Sequence, residues 1–183
     1  MRYRVLEEEI SYTGKELRSG WVRAQIGVEG DAAAGFIGPC HVRNEDLVDM
    51  DDARAGTYIK SESMAHVIAE HLQCCLESAV LFQRLLVCLL CEILRESGHD
   101  VTRRGDDVYC GDRKLTVSIA APGPSSMLIH LGINIRPTGA PVPAIGLEEM
   151  GVDAVGLVSE LLDRYTREVE SARYATKKVR SVP

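Results

Sequence analysis

The stretch Arg103-Arg104-Gly105-Asp106-Asp107-Val108-Tyr109-Cys110-Gly111-Asp112-Arg113-Lys114-Leu115-Thr116-Val117-Ser118-Ile119-Ala120 decides how this chain folds. Gly111-Asp112 reads as a two-residue turn between runs of alternating apolar and polar residues, the pattern of a β-hairpin. With that turn, Cys110 pairs with Arg113, Tyr109 with Lys114 and Asp107 with Thr116. Side chains alternate between faces along a strand, and opposed residues share a face. The expected apolar face is therefore Val108, Leu115, Val117 and Ile119. The expected polar face is Asp107, Tyr109, Lys114, Thr116 and Ser118, with a carboxylate and an ammonium in diagonal reach. Lys114 stands beyond the turn on that polar face, so its removal is expected to change stability by no more than about 0.5 kcal/mol, as surface substitutions do.

The next strand adds a second polar face. In Met127-Leu128-Ile129-His130-Leu131-Gly132-Ile133-Asn134-Ile135, one side is Met127, Ile129, Leu131, Ile133 and Ile135. The other includes His130, Gly132 and Asn134. A glycine between two polar residues on an open face lets a ligand come close to the backbone. Any half-solvated antiparallel sheet shows the same alternation, so the pattern alone identifies a face and not a ligand.

Outward from this core, residues 77–97 predict a helix that is apolar all round in its middle, hence buried, and Gly98 ends it. A last helix runs from about Asp153 past Val169, with Val158, Leu161, Leu162 and Tyr165 at helical spacing. Upstream, strands are expected over 1–10, where the charge density suits a sheet edge, over 32–37 and over 64–72. Thr13-Gly14-Lys15-Glu16 has the form of a capping box and predicts a helix from Gly14 to near Gly27. Residues 41–62 are the least patterned and are acidic, holding Glu45, Asp46, Asp49, Asp51 and Asp52 with Arg43, Arg54 and Lys60. A loop of that length is either functional or a solvated excursion. A Pro/Gly-rich loop covers 136–145. The sum is one α+β domain over 1–183, with a mixed or antiparallel sheet covered by helices on one face.

Composition excludes several classes. The chain has 183 residues and a net charge of −6, which argues against coating nucleic acid, a role that needs clustered Lys and Arg. Its longest apolar run, Leu85 to Cys91, is too short for a bilayer. Met1 to Glu9 has no apolar signal core, so a cytoplasmic protein with no membrane partner is expected. Without a secretory signal, the six cysteines do not suggest a disulfide framework. Cys88-x-x-Cys91 lies in an apolar helix, where Cys packs as a small hydrophobe, and no second such pair completes a zinc site. His66 and Glu70 share a strand face but lack a third ligand, and His71 points the other way. Cys40, after Gly38-Pro39, is a candidate exposed nucleophile for an acyltransferase that works through a thioester without ATP.

The hairpin resembles the catalytic core of biotin protein ligases. There a Lys-Trp-Pro-Asn-Asp run enters a hairpin, a Lys-Leu-x-Gly-Ile-Leu strand leaves it, and a later strand ends Gly-Ile-Asn. Here Arg103 stands at the first lysine, Asp106-Asp107 at Asn-Asp, Lys114-Leu115 at the second Lys-Leu, and Gly132-Ile133-Asn134 at the third element. The similarity covers roughly residues 100–170. Over its whole length, through Val5-Leu6-Glu7-Glu8-Glu9, Gly38-Pro39-Cys40, Arg84-Leu85-Leu86-Val87-Cys88 and Arg104-Gly105-Asp106-Asp107, the chain resembles a small prokaryotic family of unknown function. That family is grouped by fold with the biotin and lipoate ligases and the class II synthetases. The chain departs from the ligases in several respects, among them the acidic stretch 41–62, which stands where they carry a basic, glycine-rich loop, and Thr116-Val117-Ser118, which stands where they have a small residue and glycine.

The resemblance implies an ATP-dependent ligase or acyltransferase of a small carboxylic acid, or a small-molecule-binding protein that keeps the fold without catalysis. It implies ATP and Mg²⁺ as cofactors and allows a homodimer. Lys114 and Arg103 would be the catalytic cations. Asp106, Asp107, Thr116, Ser118, Gly132 and Asn134 would bind substrate or nucleotide, with Asp107 holding Mg²⁺.

Overall fold

The hairpin turns where the sequence places it, but its two arms end in different sheets. The computed structural model describes residues 1–182. In chain order its strands are β1 (Arg2–Val5), β2 (Ala32–Val42), β3 (Ile59–His71), β4 (Thr102–Arg104), β5 (Asp107–Cys110), β6 (Arg113–Lys114), β7 (Thr116–Pro122) and β8 (Met127–Arg136). Five of them form a sheet in the order β1-β2-β3-β8-β7, and β4-β5-β6 form a small second sheet. β1 runs parallel to β2 at the edge, and the other neighbours are antiparallel.

The helices are α1 (Trp21–Ile26), α2 (Met50–Arg54), α3 (Leu76–Glu96), α4 (Leu147–Met150) and α5 (Ala154–Lys177). α3 and α5 cover one face of the large sheet. There Ala65, Val67, Leu131 and Ile133 are sealed against Leu86, Leu90, Leu161 and Leu162. Part of the opposite face is covered too, since Tyr12, Trp21 and Val22 pack on Phe36, Met64 and Ile68. The helix expected from Gly14 shrinks to α1. The capping box does close, with the Thr13 amide donating to Glu16 Oε2 at 2.7 Å. Gly14 and Gly20, however, have φ of +91° and +85°, which a right-handed helix does not accept. Among the described residues, no helix is long and apolar enough to cross a membrane.

The phase of the hairpin inverts at Leu115. The Leu115 amide donates to the Val108 carbonyl in β5, at 2.8 Å, while its own carbonyl accepts from the Asn134 amide in β8, at 2.9 Å. The chain crosses from one sheet to the other within that residue. Strict alternation would put Leu115 and Thr116 on opposite faces, but both are fully buried. Beyond the crossing, Thr116 pairs with Ile133, Val117 with Gly132 and Ser118 with Leu131. Thr116 and Ser118 therefore point toward the helices, and Val117 and Ile119 take the opposite face. This corrects the expected face assignment for all four. The cause is the lost phase of one residue, which moves every later side chain to the other side of a sheet.

Thr116 takes part in the crossing. Its hydroxyl accepts from the Val108 amide at 2.8 Å, in place of a backbone carbonyl. A buried amide left without an acceptor carries the full desolvation cost. Thr116→Val should therefore lower stability by about 1–3 kcal/mol in urea denaturation, while Thr116→Ser, which keeps the acceptor, should lose clearly less. Equal losses would mean that the hydroxyl does not serve the crossing.

Candidate functional site

The crossing at Leu115 leaves Lys114 at the mouth of a cleft of about 200 Å³. Lys114 is held from both sides. Tyr109 pairs with it across the hairpin, and the loop after β8 lies along it, with the Lys114 amide donating to Pro143 and the Lys114 carbonyl accepting from Ile145. That loop, with Ala140, Pro141 and Val142, forms one wall. Asp52 of α2, Tyr58 of the turn after it and Ile59 at the start of β3 form the other, and Met64 and Val117 make the floor. The charged and amide groups on this mainly apolar pocket are Lys114, Lys60, Asn134 and Asp52, beside the hydroxyl residues Thr57, Tyr58 and Thr116.

Each is positioned. Lys114 Nζ lies 2.7 Å from Asp107 Oδ2. An ammonium has three donors, so two stay available. Asn134 is nearly buried and its Nδ2 donates weakly to the Lys114 carbonyl, at 3.4 Å. The aliphatic stem of Lys60 lies against Gly139, where a Cβ would come within 3.1 Å of it. Gly139 also has φ of +92°, so only glycine fits there easily.

Thr116 lines this cleft and Ser118 the space beside it, but their hydroxyls are engaged elsewhere, and the remaining expected site residues lie apart. Arg103 is exposed on β4, opposite Val108, and donates to the Gly105 carbonyl. Asp106 turns to α3, where Gln83 and Arg84 bind its carboxylate. The Ser118 hydroxyl points the same way, donating to the Asp106 carbonyl and accepting from Gln83. The Thr116 hydroxyl is engaged by Val108. Above Gly132, Met64 Sδ occupies the space that a Cβ would need, 2.4 Å away, so the glycine admits a protein side chain. Of the expected site residues, the cleft gathers Lys114, Asn134 and Thr116, the last with its hydroxyl spent on Val108, and Asp107 stands behind the lysine.

These positions do not fit Mg²⁺. Asp106 and Asp107 diverge, and each already has a cationic partner. Among the described residues, no three His, Cys, Asp or Glu side chains are gathered as for a metal ion. A triphosphate fits no better beside a wall carrying Asp46, Asp49 and Asp52. Cys40 is buried, and burial, with the Glu16 carboxylate near it, pushes its thiol up to about 12. It is no exposed nucleophile.

A smaller cavity, about 60 Å³, adjoins the cleft and shares Asp52 and Ile59 with it. Its lining includes Tyr12 and His130, whose rings stack at 3.9 Å. His130 Nε2 lies 3.1 Å from His66 Nδ1, and His66 Nε2 lies 3.3 Å from the Gly38 carbonyl. Burial holds both rings neutral, pushing His66 down to about 3 and His130 well below its usual value. On the far side, Asp31, His71 and Tyr165 form a separate buried network. Glu70 is also buried, accepting from the Gly20 amide, Arg23 and Ser126. His66 and Glu70 share a face, as expected, but serve different networks.

Comparison with known proteins agrees with this architecture. A biotin protein ligase from Aquifex aeolicus in complex with biotin and ATP superposes with a TM-score of 0.60 at 14% identity, over 92% of this chain and 70% of that one. A lipoate-ligase-like protein from T. acidophilum with bound lipoic acid gives 0.59 at 13% identity, over 93% of this chain and 86% of that one. The fold is that of the biotin and lipoate protein ligase catalytic domains. Within it, residues 1–180 match the model of a domain of unknown function, DUF366, and the chain belongs to that family. It is similar to a protein of unknown function from Pyrococcus horikoshi, with a TM-score of 0.93 at 37% identity, over 99% of this chain and 100% of that one. An uncharacterized protein of Methanocaldococcus jannaschii is 34% identical over 172 residues, which is 90% of this chain and 78% of that protein.

The Asp107–Lys114 pair generates a test. Burial raises the Asp107 carboxyl above its usual range, and Lys114 pulls it part of the way back. An acid raised in the folded state binds its proton more tightly there, so it favours folding at low pH, and that contribution is lost as pH rises through the folded value. Without Lys114 the folded value rises further. Lys114→Ala should therefore match the parent near pH 4 and fall behind by roughly 1–3 kcal/mol at neutral pH, between the costs of breaking exposed and buried pairs. This replaces the expectation that Lys114 matters little to stability. A pH-independent difference in chemical denaturation would show that Asp107 does not depend on Lys114.

Proposed function

We propose that this protein binds a small carboxylate-bearing molecule in the cleft beside Lys114. The observation that carries the reading is the Lys114 ammonium, oriented by Asp107 and joined by the Asn134 amide, on the rim of a mainly apolar cleft. Small-molecule sites have this composition, with apolar walls and a few placed polar groups. A cavity of about 150 Å³ in an engineered protein holds benzene, so a cleft of about 200 Å³ suits a short acyl or ring-sized body. Lys114 supplies the charge for the carboxylate, Lys60 adds a second cation on the facing wall, and Met64 and Val117 meet the hydrocarbon.

Transfer or activation of the acid is a second reading. The ligase fold and the pairing of Lys114 with Asn134 favour it. ATP-dependent activation would show as carboxylate-dependent exchange of pyrophosphate into ATP, and the acidic wall predicts none.

The binding reading is tested by calorimetry and thermal shift with butyrate, hexanoate, lipoate and biotin. At least one should bind saturably, and Lys114→Ala should weaken it by about 10- to 100-fold, the worth of one charge-assisted hydrogen bond. Lys114→Arg should not restore it fully, because a planar guanidinium does not place its charge where an ammonium does. Binding that ignores the lysine, or no binding by any of the four, would remove the reading.

A further inference from the structure

The small cavity beside the cleft has its own chemistry. Its lining includes Asp46, Asp49 and Asp52 and, among the described residues, no Lys or Arg. Asp46 has a partner outside, with Arg43 Nε 3.3 Å from its Oδ2. Asp49 caps α2, accepting from the Asp51 and Asp52 amides. Asp52 carries no ion pair among the described residues, and it lies close enough to raise Asp107.

His130 is an independent observation from the opposite wall. The Gly38 carbonyl only accepts, so His66 carries its proton on Nε2 and leaves Nδ1 bare. His130 must then donate from Nε2 to His66. In a neutral ring, one nitrogen donates and the other accepts. Nδ1 of His130 is therefore a lone pair, and it has no partner among the described residues. The ring is only 3% exposed. Nδ1 is nevertheless not among the side-chain atoms sealed from solvent without a partner, which are Arg23 Nε and Glu70 Oε2. Nδ1 therefore meets open space, and the open space that the ring lines is this cavity.

We infer that this cavity is an ammonium subsite, and that the ligand of the adjoining cleft is an acid that also carries a protonated amine. An ammonium offers N–H donors to the His130 lone pair and a positive charge to the three carboxylates. A neutral alcohol satisfies only the lone pair. An anion is repelled by the aspartates and has no donor to meet at Nδ1. The cleft and cavity share Asp52, so one molecule can span both, its carboxylate toward Lys114 and Lys60 and its amine toward His130. The subsite stands on the cavity alone, while the extension to an amino acid rests on the carboxylate reading of Lys114.

The test uses the full-length protein and separate probes for each end. Butylamine, butanol and butyrate are titrated at neutral pH, followed by ω-amino acids from glycine to 6-aminohexanoate. Butylamine should bind at least tenfold more tightly than butanol, more weakly at high salt, and shift the ¹⁵N resonance of His130 Nδ1. Asp46→Asn, which lies on the cavity and not on the cleft, should weaken butylamine severalfold and leave butyrate unchanged, and Asp52→Asn, at the shared boundary, should also weaken butylamine severalfold. Lys114→Ala should do the reverse. One of the ω-amino acids should bind more tightly than either monofunctional probe. If butylamine binds no better than butanol, or neither asparagine variant affects it, the subsite is overturned. If butylamine behaves as expected but no carboxylate binds, the subsite stands and the carboxylate reading fails.

Discussion

The architecture around the cleft depends on the divided hydrogen bonding of Leu115. Its amide belongs to the small sheet and its carbonyl to the large one. That division lets the hairpin leave β5 and enter beside β8 without orphaning a buried backbone group, which would be costly. It also sets where the side chains go. Before the crossing, Lys114 faces Tyr109 and Asp107. After it, Thr116 and Ser118 are drawn under α3, and Val117 floors the cleft. The backbone of Lys114 is then gripped by the loop after β8, which brings a wall of small and apolar residues to the ammonium.

Around this point, charge is distributed unevenly. Lys114 and Lys60 stand in the cleft, and the acidic residues stand toward α2 and the small cavity. The ligases of similar fold are proteins in complex with biotin and ATP or with lipoic acid. Here the rings of Tyr12, His66 and His130 stack on the covered face of the sheet, and Met64 fills the space over Gly132. The scaffold is shared at 13–14% identity.

Much of the fold was legible in the sequence. The apolar middle of α3, the spacing along α5 and the Gly111-Asp112 turn each specify one local structure, and each formed within a few residues of its expected bounds. The edge position of β1 followed from its charges. Of the expected site residues, Lys114, Thr116 and Asn134 line the cleft and Asp107 pairs with the lysine. Strict alternation misplaced Thr116 and Ser118, because a one-residue crossing leaves no mark in an apolar–polar pattern when a threonine hydroxyl stands in for a carbonyl. Asp106 was misread for a related reason, since its partners Gln83 and Arg84 come from a helix far away in sequence. Lys60, Asp52 and the 137–145 wall were out of reach, because loop positions are set by tertiary contacts such as the stem of Lys60 on Gly139. The one available sign was the length and acidity of residues 41–62.

The central claim is that the cleft floored by Met64 and flanked by Lys114 and Asn134 is where this protein holds its ligand. Methyl NMR of protein labelled at the methionine methyls addresses it directly, because Met64 lies in the cleft while Met127 and Met150 do not line it. Titration with a short carboxylate should shift the Met64 methyl saturably and leave Met127 and Met150 in place. A Met64 resonance that stays fixed, or shifts only together with the other two, would contradict the account.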